Sequence, residues 1–246
     1  FKINENGIAT EVSILNGPIF KRRSPLSLTK KTFKITPIKS IDELRKEAER
    51  SNPPLGNSKS EKFDLIEIKS IDKSIKYDIR YASENNFMGS KFYKTSNAFL
   101  QRPAAEALKR VNEKLRSYGF GLLIHDAYRP WYVTKMFWDA TPEDKKIFVA
   151  NPQNGSRHNR GCAVDLTLYE LSTGSPVEMV SGYDEFTERA FPYYYGGTTK
   201  QRSLRDLLRK NMESEGFSVY EYEWWHFDYK DWKKYGIGNL KFEDIK

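Results

Sequence analysis

The sequence predicts an α+β domain: a central, mostly antiparallel sheet flanked by helices, with a short N-terminal extension. Short runs of alternating apolar residues, typical of strands, recur between segments whose apolar residues are spaced three and four apart, as in helices. The 246 residues, 38% of them hydrophobic and 30% charged, are enough for one large globular domain, or for a domain with an appendage.

The first 60 residues are predicted to form the extension. A capping box from Ser40 to Glu43 opens a short helix before Pro53 and Pro54, and residues 56–60 are typical of a linker. We therefore place the domain boundary at residue 60 and assign 61–246 to the main domain. Because the chain begins with Phe1, we expect that an upstream segment has been removed. Three strand candidates separated by Asn-Gly turns precede the helix: Phe1–Asn4, Ala9–Leu15 and Pro18–Lys21.

Helices and strands alternate along the main domain. A helix begins at Arg102 with a proline in its first turn and ends at Gly119, a second follows Pro130, and a third spans 201–215. In the strand Ala163–Tyr169 the odd positions, including Asp165, point to one face and the apolar even positions to the other. The remaining predicted strands are Phe63–Ile68, Ile75–Ile79, Gly121–Ile124 and Phe217–Tyr222.

Charge and cysteine content exclude several classes. The net charge of +8 comes from lysines and arginines scattered among acids, so no nucleic-acid partner is predicted. No apolar run is long enough to span a bilayer. The single cysteine, Cys162, allows no intrachain disulfide. It could serve as a thiol nucleophile, but its place at the start of an apolar strand favours a small buried residue.

Two short runs contain the residues that suggest chemistry. Two of the chain's three histidines, His158 and His226, lie in runs that also contain Asp165 and Glu223. Two imidazoles and one carboxylate form the ligand set of a catalytic zinc site with one position left open, and a second carboxylate beside it suits a general base. The sequence therefore predicts one zinc ion, bound by His158, Asp165 and His226, with Glu223 as the base.

The spacing of Glu223 and His226 poses a geometric problem. Residues three apart face opposite sides of a regular strand. We therefore expect a bend or bulge that turns both side chains toward one metal, with Trp224 and Trp225 packing around the site and limiting water.

Two residues upstream have alternative interpretations. Arg129 follows a strand and precedes Pro130, where it could stabilise a developing oxyanion or pair structurally with Asp126. His125 ends the same apolar strand, and we interpret it as structural.

The motifs together resemble the D-alanyl-D-alanine dipeptidases of the VanX type, over residues 63–233. The resemblance rests on Ser156-x-His158-x-x-Gly-x-Ala-x-Asp165 and Glu223-x-Trp-His226, with Asp126-x-Tyr-Arg129-Pro upstream. It implies zinc binding by His158, Asp165 and His226, and general-base catalysis by Glu223. It further implies stabilisation of the tetrahedral intermediate by Arg129, and a dipeptide pocket lined by Tyr81, Ser156 and Asp184.

The predicted function is zinc-dependent hydrolysis of D-Ala-D-Ala and related D,D-dipeptides in peptidoglycan metabolism. The first alternative is a zinc carboxypeptidase or endopeptidase acting on peptidoglycan stem peptides through an open groove. The second is a non-catalytic binding module, against which the presence of Glu223 and Arg129 argues. A periplasmic or otherwise extracytoplasmic location is expected, with the cytoplasm as the alternative, and the oligomeric state is not predicted.

Overall fold

The computed structural model describes residues 2–3, 9–12, 20–21, 34–54 and 60–245. The chain divides into two compact units, residues 1–31 and 32–246. In the first unit three short antiparallel strands pair in the order β1-β2-β3, each inside one of the three predicted strands. The predicted Asn-Gly turns and residues 56–59 of the linker lie outside the described residues. The strands are β1 (Lys2–Ile3), β2 (Ala9–Val12) and β3 (Phe20–Lys21).

A five-stranded sheet forms the centre of the second unit. Its order is β5-β7-β8-β10-β9, and only the β5 and β7 pair is parallel. A separate antiparallel pair joins β4 and β6. The predicted α+β class with a mostly antiparallel sheet is confirmed. The strands are β4 (Leu65–Glu67), β5 (Lys76–Tyr77), β6 (Phe99–Gln101), β7 (Phe120–Asp126), β8 (Ala163–Glu170), β9 (Phe217–Tyr220) and β10 (Glu223–Tyr229).

Helices flank this sheet, most of them at the predicted places, whereas the one-turn helix Ile68–Ile71 begins at the end of a predicted strand and was not predicted. Ser40 caps the first helix, because its Oγ accepts a hydrogen bond from the backbone N–H of Glu43 at 3.3 Å. The third and fifth helices contact each other and also contact β7 and β9 respectively. The helices are α1 (Ile41–Glu49), α2 (Ile68–Ile71), α3 (Arg102–Arg116), α4 (Trp131–Ala140) and α5 (Thr199–Ser214).

Glycines end the two long helices. Gly119 follows α3 with φ +84° and Gly216 follows α5 with φ +88°, a left-handed conformation that other residues adopt at a cost. Each glycine turns the chain directly into a strand of the central sheet. The last of these strands, β9, ends at Tyr220 rather than at the predicted Tyr222, because Glu221 and Tyr222 form the turn into β10.

The core of the second unit includes α1. Leu44 and Ala48 of α1 are fully buried in the same apolar cluster as Val133 and Met136 of α4. The helix α1, which the sequence predicted as part of the extension, thus packs with the main domain, and the boundary at residue 60 stays a prediction. In the ranges that the structure describes, no helix is long and apolar enough to cross a membrane.

Candidate active site

Three neighbouring strands place polar side chains in a row across the sheet. Asp165 on β8 is the direct partner of Asp126 on β7 and of His226 on β10. The pairing of β7 shifts between Ile124 and Asp126, so that Asp126 rather than His125 lies opposite Asp165. A bulge of one residue thus decides which of two adjacent polar side chains reaches the site.

His158 reaches the site from a loop. It begins a single turn of 3-10 helix, His158–Arg160, which ends at Gly161 with φ +68°. The side-chain amide of Asn159 donates to the backbone oxygen of Arg129 and to Oγ1 of Thr134, both at 2.8 Å. These buried hydrogen bonds connect the loop to Arg129, just before α4, and to Thr134 within α4, so the position of the His158 imidazole is fixed.

A bulge in β10 brings Glu223 and His226 to the same side. Glu223 pairs with Tyr220 while Phe227 pairs with Val219, so four steps along β10 match one step along β9. Oε2 of Glu223 consequently lies 3.9 Å from Nδ1 of His226. The predicted bend is confirmed.

Both tryptophans between Glu223 and His226 are buried. Trp225 packs edge to face against Tyr183, with ring centroids 5.6 Å apart, and Trp224 donates from Nε1 to Oγ of Ser181 at 2.7 Å. Neither tryptophan lines the cavity that contains Glu223 and His226, so their role in limiting water stays a prediction.

Three donor atoms converge between the strands and the loop. Nε2 of His158, Nδ1 of His226 and Oδ1 of Asp165 are separated by 3.2, 3.4 and 3.0 Å. Ligands bound to tetrahedral zinc at about 2.0–2.1 Å lie about 3.3 Å from one another, so this triangle matches a zinc site. In the described part of the chain Oδ1 of Asp165 is buried and accepts no hydrogen bond, as a metal-directed oxygen should.

Hydrogen bonds on the far side of each imidazole fix which nitrogen faces the site. Nδ1 of His158 donates to the backbone oxygen of Ala127 at 2.7 Å, and Nε2 of His226 donates to Oδ1 of Asp228 at 3.0 Å. In a neutral imidazole the other nitrogen then presents a lone pair. Two lone pairs and a carboxylate oxygen pointing at one another are the donor set of a bound cation, so the residues fit zinc.

Asp228 and Tyr183 support the ligands and were not predicted. Asp228 is two residues beyond His226 on the same face of β10, and it also pairs with Arg157. Tyr183 donates its hydroxyl to Oδ2 of Asp165 at 2.8 Å, and burial raises the pKa of Tyr183 well above its ordinary value, so the hydroxyl stays protonated. The strand periodicity could have indicated Asp228, whereas nothing local to Tyr183 indicates its partner.

Two carboxyl groups in the site have pKa values above their ordinary range. Burial, reinforced by the charge of Asp165, raises the pKa of Glu223 to about 7. Burial also raises the pKa of Asp184 well above its ordinary value. A carboxyl that titrates near neutral pH can take up and return a proton during one turnover, so Glu223 has the property of a general base.

Arg129 fits both interpretations that the sequence left open. Its Nε and Nη2 contact Oδ2 of Asp126 at 3.0 and 2.6 Å, which is the structural pair. Burial acts to lower the pKa of Arg129, but the charge of Asp126 raises it well above its ordinary value. The guanidinium also packs over the ring of Tyr81, 5.2 Å from its centroid, and lines the same cavity as the three metal-ligand candidates.

One cavity of about 910 Å³ contains the predicted residues. Tyr81 donates its hydroxyl to Oδ2 of Asp184 at 3.0 Å. Among the described residues, Asp184 is the only non-glycine residue with a positive φ, which is +53°. Such a strained conformation is typical of functional positions. Ser156 accepts from the backbone N–H of His158 at 3.2 Å, which leaves its own proton to donate. All eight predicted site residues line this cavity: Tyr81, Arg129, Ser156, His158, Asp165, Asp184, Glu223 and His226.

Cys162 and His125 have structural surroundings. Cys162 is fully buried, and burial raises the pKa of its thiol to about 12, which disfavours a nucleophile. His125 is buried, with Nδ1 3.3 Å from the backbone oxygen of Asp78 and its ring tilted against that of Tyr183. Burial, with the charge of Arg80, lowers the pKa of His125 to about 4. Neither residue lines the cavity.

Comparison with known proteins agrees with this geometry. The model of the Peptidase_M15 family, described as D-ala-D-ala dipeptidase, matches residues 61–242. The chain is 32% identical over 169 residues to a D-alanyl-D-alanine dipeptidase of Escherichia coli (strain K12), covering 69% of this chain and 86% of that protein. It is 34% identical over 179 residues to one of Enterococcus faecium, covering 65% and 89% respectively. The chain therefore belongs to the Peptidase_M15 family of D-Ala-D-Ala dipeptidases and is a zinc metallopeptidase.

Proposed function

We propose that this chain hydrolyses D-Ala-D-Ala and related D,D-dipeptides to free amino acids in peptidoglycan metabolism. The observation that carries the proposal is the triangle of donor atoms from His158, Asp165 and His226. Oε2 of Glu223 lies 3.9 Å from one of these atoms, Nδ1 of His226. The named activity of the relatives supports the choice of substrate.

The metal site is proposed to contain one zinc ion per chain, held by His158, Asp165 and His226. Oδ1 of Asp165 faces both imidazoles, and Oδ2 accepts a hydrogen bond from Tyr183, so the carboxylate is oriented toward the ion. When bound, zinc supplies Lewis-acid chemistry, polarising the peptide carbonyl and acidifying water. The chain's own part is to hold that chemistry beside Glu223.

Glu223 is proposed as the general base. Its carboxylate is partly accessible from the cavity, and its raised pKa of about 7 lets it remove a proton from water and then deliver it to the leaving amine. The cleaved peptide bond thus gains one proton at nitrogen and one hydroxyl at the carbonyl carbon, and Glu223 ends as it began.

Arg129 is proposed to stabilise the oxyanion that develops on the carbonyl. Asp126 holds Nε and Nη2, so the guanidinium is oriented before substrate enters, and Nη1 is the nitrogen that this carboxylate does not hold. A donor oriented in advance stabilises the transition state without reorganising, which is why such groups contribute strongly.

Three further residues are proposed to bind the substrate. Asp184, buried and oriented by Tyr81, suits the free ammonium, because an opposite charge would restore its ionised form. The hydroxyl of Ser156 suits the free carboxylate. A pocket that binds both termini selects dipeptides, so longer peptides should be poor substrates.

The test is a release assay on the purified, zinc-loaded chain. D-Ala-D-Ala should be cleaved, whereas N-acetyl-D-Ala-D-Ala and L-Ala-L-Ala, which change the terminus or the chirality, should be poor substrates. The same assay addresses the possibility of a non-catalytic binding module. Stoichiometric zinc without turnover of any of these dipeptides would refute the proposal.

A stem-peptide carboxypeptidase or endopeptidase is the second candidate, and the size of the cavity favours it. At about 910 Å³ the cavity is near the upper end of the range of roughly 300–1,000 Å³ for small-molecule pockets, which is more than two alanine residues fill. Offering D-Ala-D-Ala and a stem pentapeptide in competition distinguishes the two. Preferential loss of the terminal residue from the pentapeptide would favour this candidate.

We also propose an extracytoplasmic location, with the cytoplasm as the alternative, because the substrate derives from the cell wall. Fractionation of cells that express the natural protein tests it. Recovery of the protein with cytoplasmic markers alone would exclude the extracytoplasmic location.

A further inference from the structure

The two carboxylate oxygens of Asp165 have different surroundings. Oδ1 lies 3.4 Å from Nε2 of His158 and 3.0 Å from Nδ1 of His226. Oδ2 accepts a hydrogen bond from the hydroxyl of Tyr183 at 2.8 Å. A carboxylate can bind a cation through one oxygen or through both. Binding through both would occupy space that a catalytic zinc site keeps for water or substrate.

The ring of Tyr183 is held independently of its hydroxyl. It is tilted against His125, with ring centroids 4.8 Å apart, and against Tyr81 at 6.2 Å, and it packs edge to face against Trp225 at 5.6 Å. Three aromatic contacts on different elements define the position of the ring. The hydroxyl is therefore presented to Asp165 by the packing, and its removal would leave that packing in place.

The single proton of the Tyr183 hydroxyl has two candidate acceptors. Oδ2 of Asp165 is 2.8 Å away, and the hydroxyl oxygen of Tyr81 is 3.2 Å away. Hydrogen bonds to a carboxylate are shorter and stronger than those between neutral hydroxyls, so the proton goes to Asp165. Tyr81 in turn donates to Asp184 at 3.0 Å, so each hydroxyl serves one carboxylate.

We propose that Tyr183 is a positioning residue that restricts Asp165 to binding zinc through Oδ1 alone and so keeps the last coordination position open. The inference rests on the metal site of the proposed function. It concerns zinc binding, which can be measured without hydrolysis, so its failure and the failure of the proposed substrate are distinguishable.

The test is Tyr183→Phe in the full chain, which removes the oxygen and keeps the ring. Losing a hydrogen bond to a metal ligand typically weakens metal binding about 10–100-fold, and a loss of that size is expected here. Competition with a chromophoric chelator measures zinc affinity with no substrate present. Visible absorption of the cobalt-substituted protein is the second readout, and the variant should lose the intense four-coordinate bands if Asp165 binds through both oxygens.

Two matched variants separate this role from a general loss of stability. Tyr169 lies four residues beyond Asp165 on β8, and its hydroxyl donates to the backbone oxygen of Ser74 at 2.7 Å. Tyr169→Phe therefore removes a comparable hydrogen bond from the same strand, and zinc affinity should be that of the unaltered chain. Tyr81→Phe should raise KM with little change in zinc affinity.

A Tyr183→Phe variant with unaltered zinc affinity and an unaltered cobalt spectrum overturns the proposal. If that variant fails to fold, the zinc-loaded crystal structure of the unaltered chain decides. Zinc bound to Oδ1, with Oδ2 still accepting from Tyr183, supports the proposal. Zinc bound to both oxygens of Asp165 overturns it.

Discussion

Asp165 and His226 face each other as direct partners on β8 and β10, with Oδ1 of Asp165 3.0 Å from Nδ1 of His226. Directly opposed residues on antiparallel strands have Cβ atoms only about 4.5–5.5 Å apart, so the sheet itself brings two ligands together. The third, His158, comes from a loop tied to the segment before α4. Most of the metal site is therefore built on rigid strands.

Removing the metal should abolish hydrolysis and lower the melting temperature while leaving the sheet folded. Zinc that binds only the native state stabilises it by mass action, so chelation lowers Tm in proportion to the lost binding free energy. Differential scanning calorimetry and circular dichroism, before and after chelation, measure both effects. Restored zinc should restore activity. Full turnover in protein shown to contain no metal would contradict the assignment.

Glu223→Gln should lower kcat by about 10²–10⁴-fold, because the amide cannot accept the proton that the base removes. Zinc content should be unchanged, since Glu223 is not among the three converging donors. Steady-state kinetics combined with metal analysis check this. A variant that retains most of its turnover would show that another group is the base.

Arg129→Lys should lower kcat by about 10²–10³-fold, as expected for the loss of an oriented oxyanion donor. Lysine keeps the charge but cannot place two nitrogens on Oδ2 of Asp126, as the guanidinium does. Arg129→Ala should additionally lower the free energy of unfolding by about 3–5 kcal/mol, because Asp126 is left buried without its cation. Kinetics and urea unfolding of both variants separate the two roles. Equal stability of both would contradict the structural pair.

Asp184→Asn should raise KM for D-Ala-D-Ala by on the order of 100-fold, because truncating one side of a buried charge pair costs about 2–5 kcal/mol. The fold should survive, since asparagine tolerates the left-handed φ of +53° at this position. The preference for D-Ala-D-Ala over its N-acetyl derivative should shrink in parallel. An unchanged preference would place the ammonium elsewhere.

His125→Phe should make stability less dependent on pH between about 6.5 and 4. Burial and the charge of Arg80 lower the folded-state pKa of His125 to about 4, whereas an unfolded histidine titrates near 6.5. In that window the unfolded chain binds more protons, so stability falls as pH falls, and phenylalanine removes this contribution. Urea unfolding at several pH values measures the slope. Identical slopes for both chains would show that His125 does not titrate in this way.

The sequence predicted the elements whose causes are local. Ser40 caps α1, Gly119 and Gly216 end the helices before β7 and β9, and alternation in β8 places Asp165 opposite the apolar positions. The side chains that can bind zinc were also evident, because imidazole and carboxylate ligands are recognisable by type and spacing. Even the bulge in β10 followed from Glu223 and His226 needing a common side.

The tertiary structure decided which groups support those ligands. Tyr183 meets Asp165 across 18 positions of sequence, and Tyr81 meets Asp184 across 103. It also decided that the bulge in β7 presents Asp126, rather than His125, opposite Asp165. Such contacts depend on strand register and on which loops cover the sheet. Both are fixed by the packing of the whole domain, whereas periodicity and capping act over only a few residues.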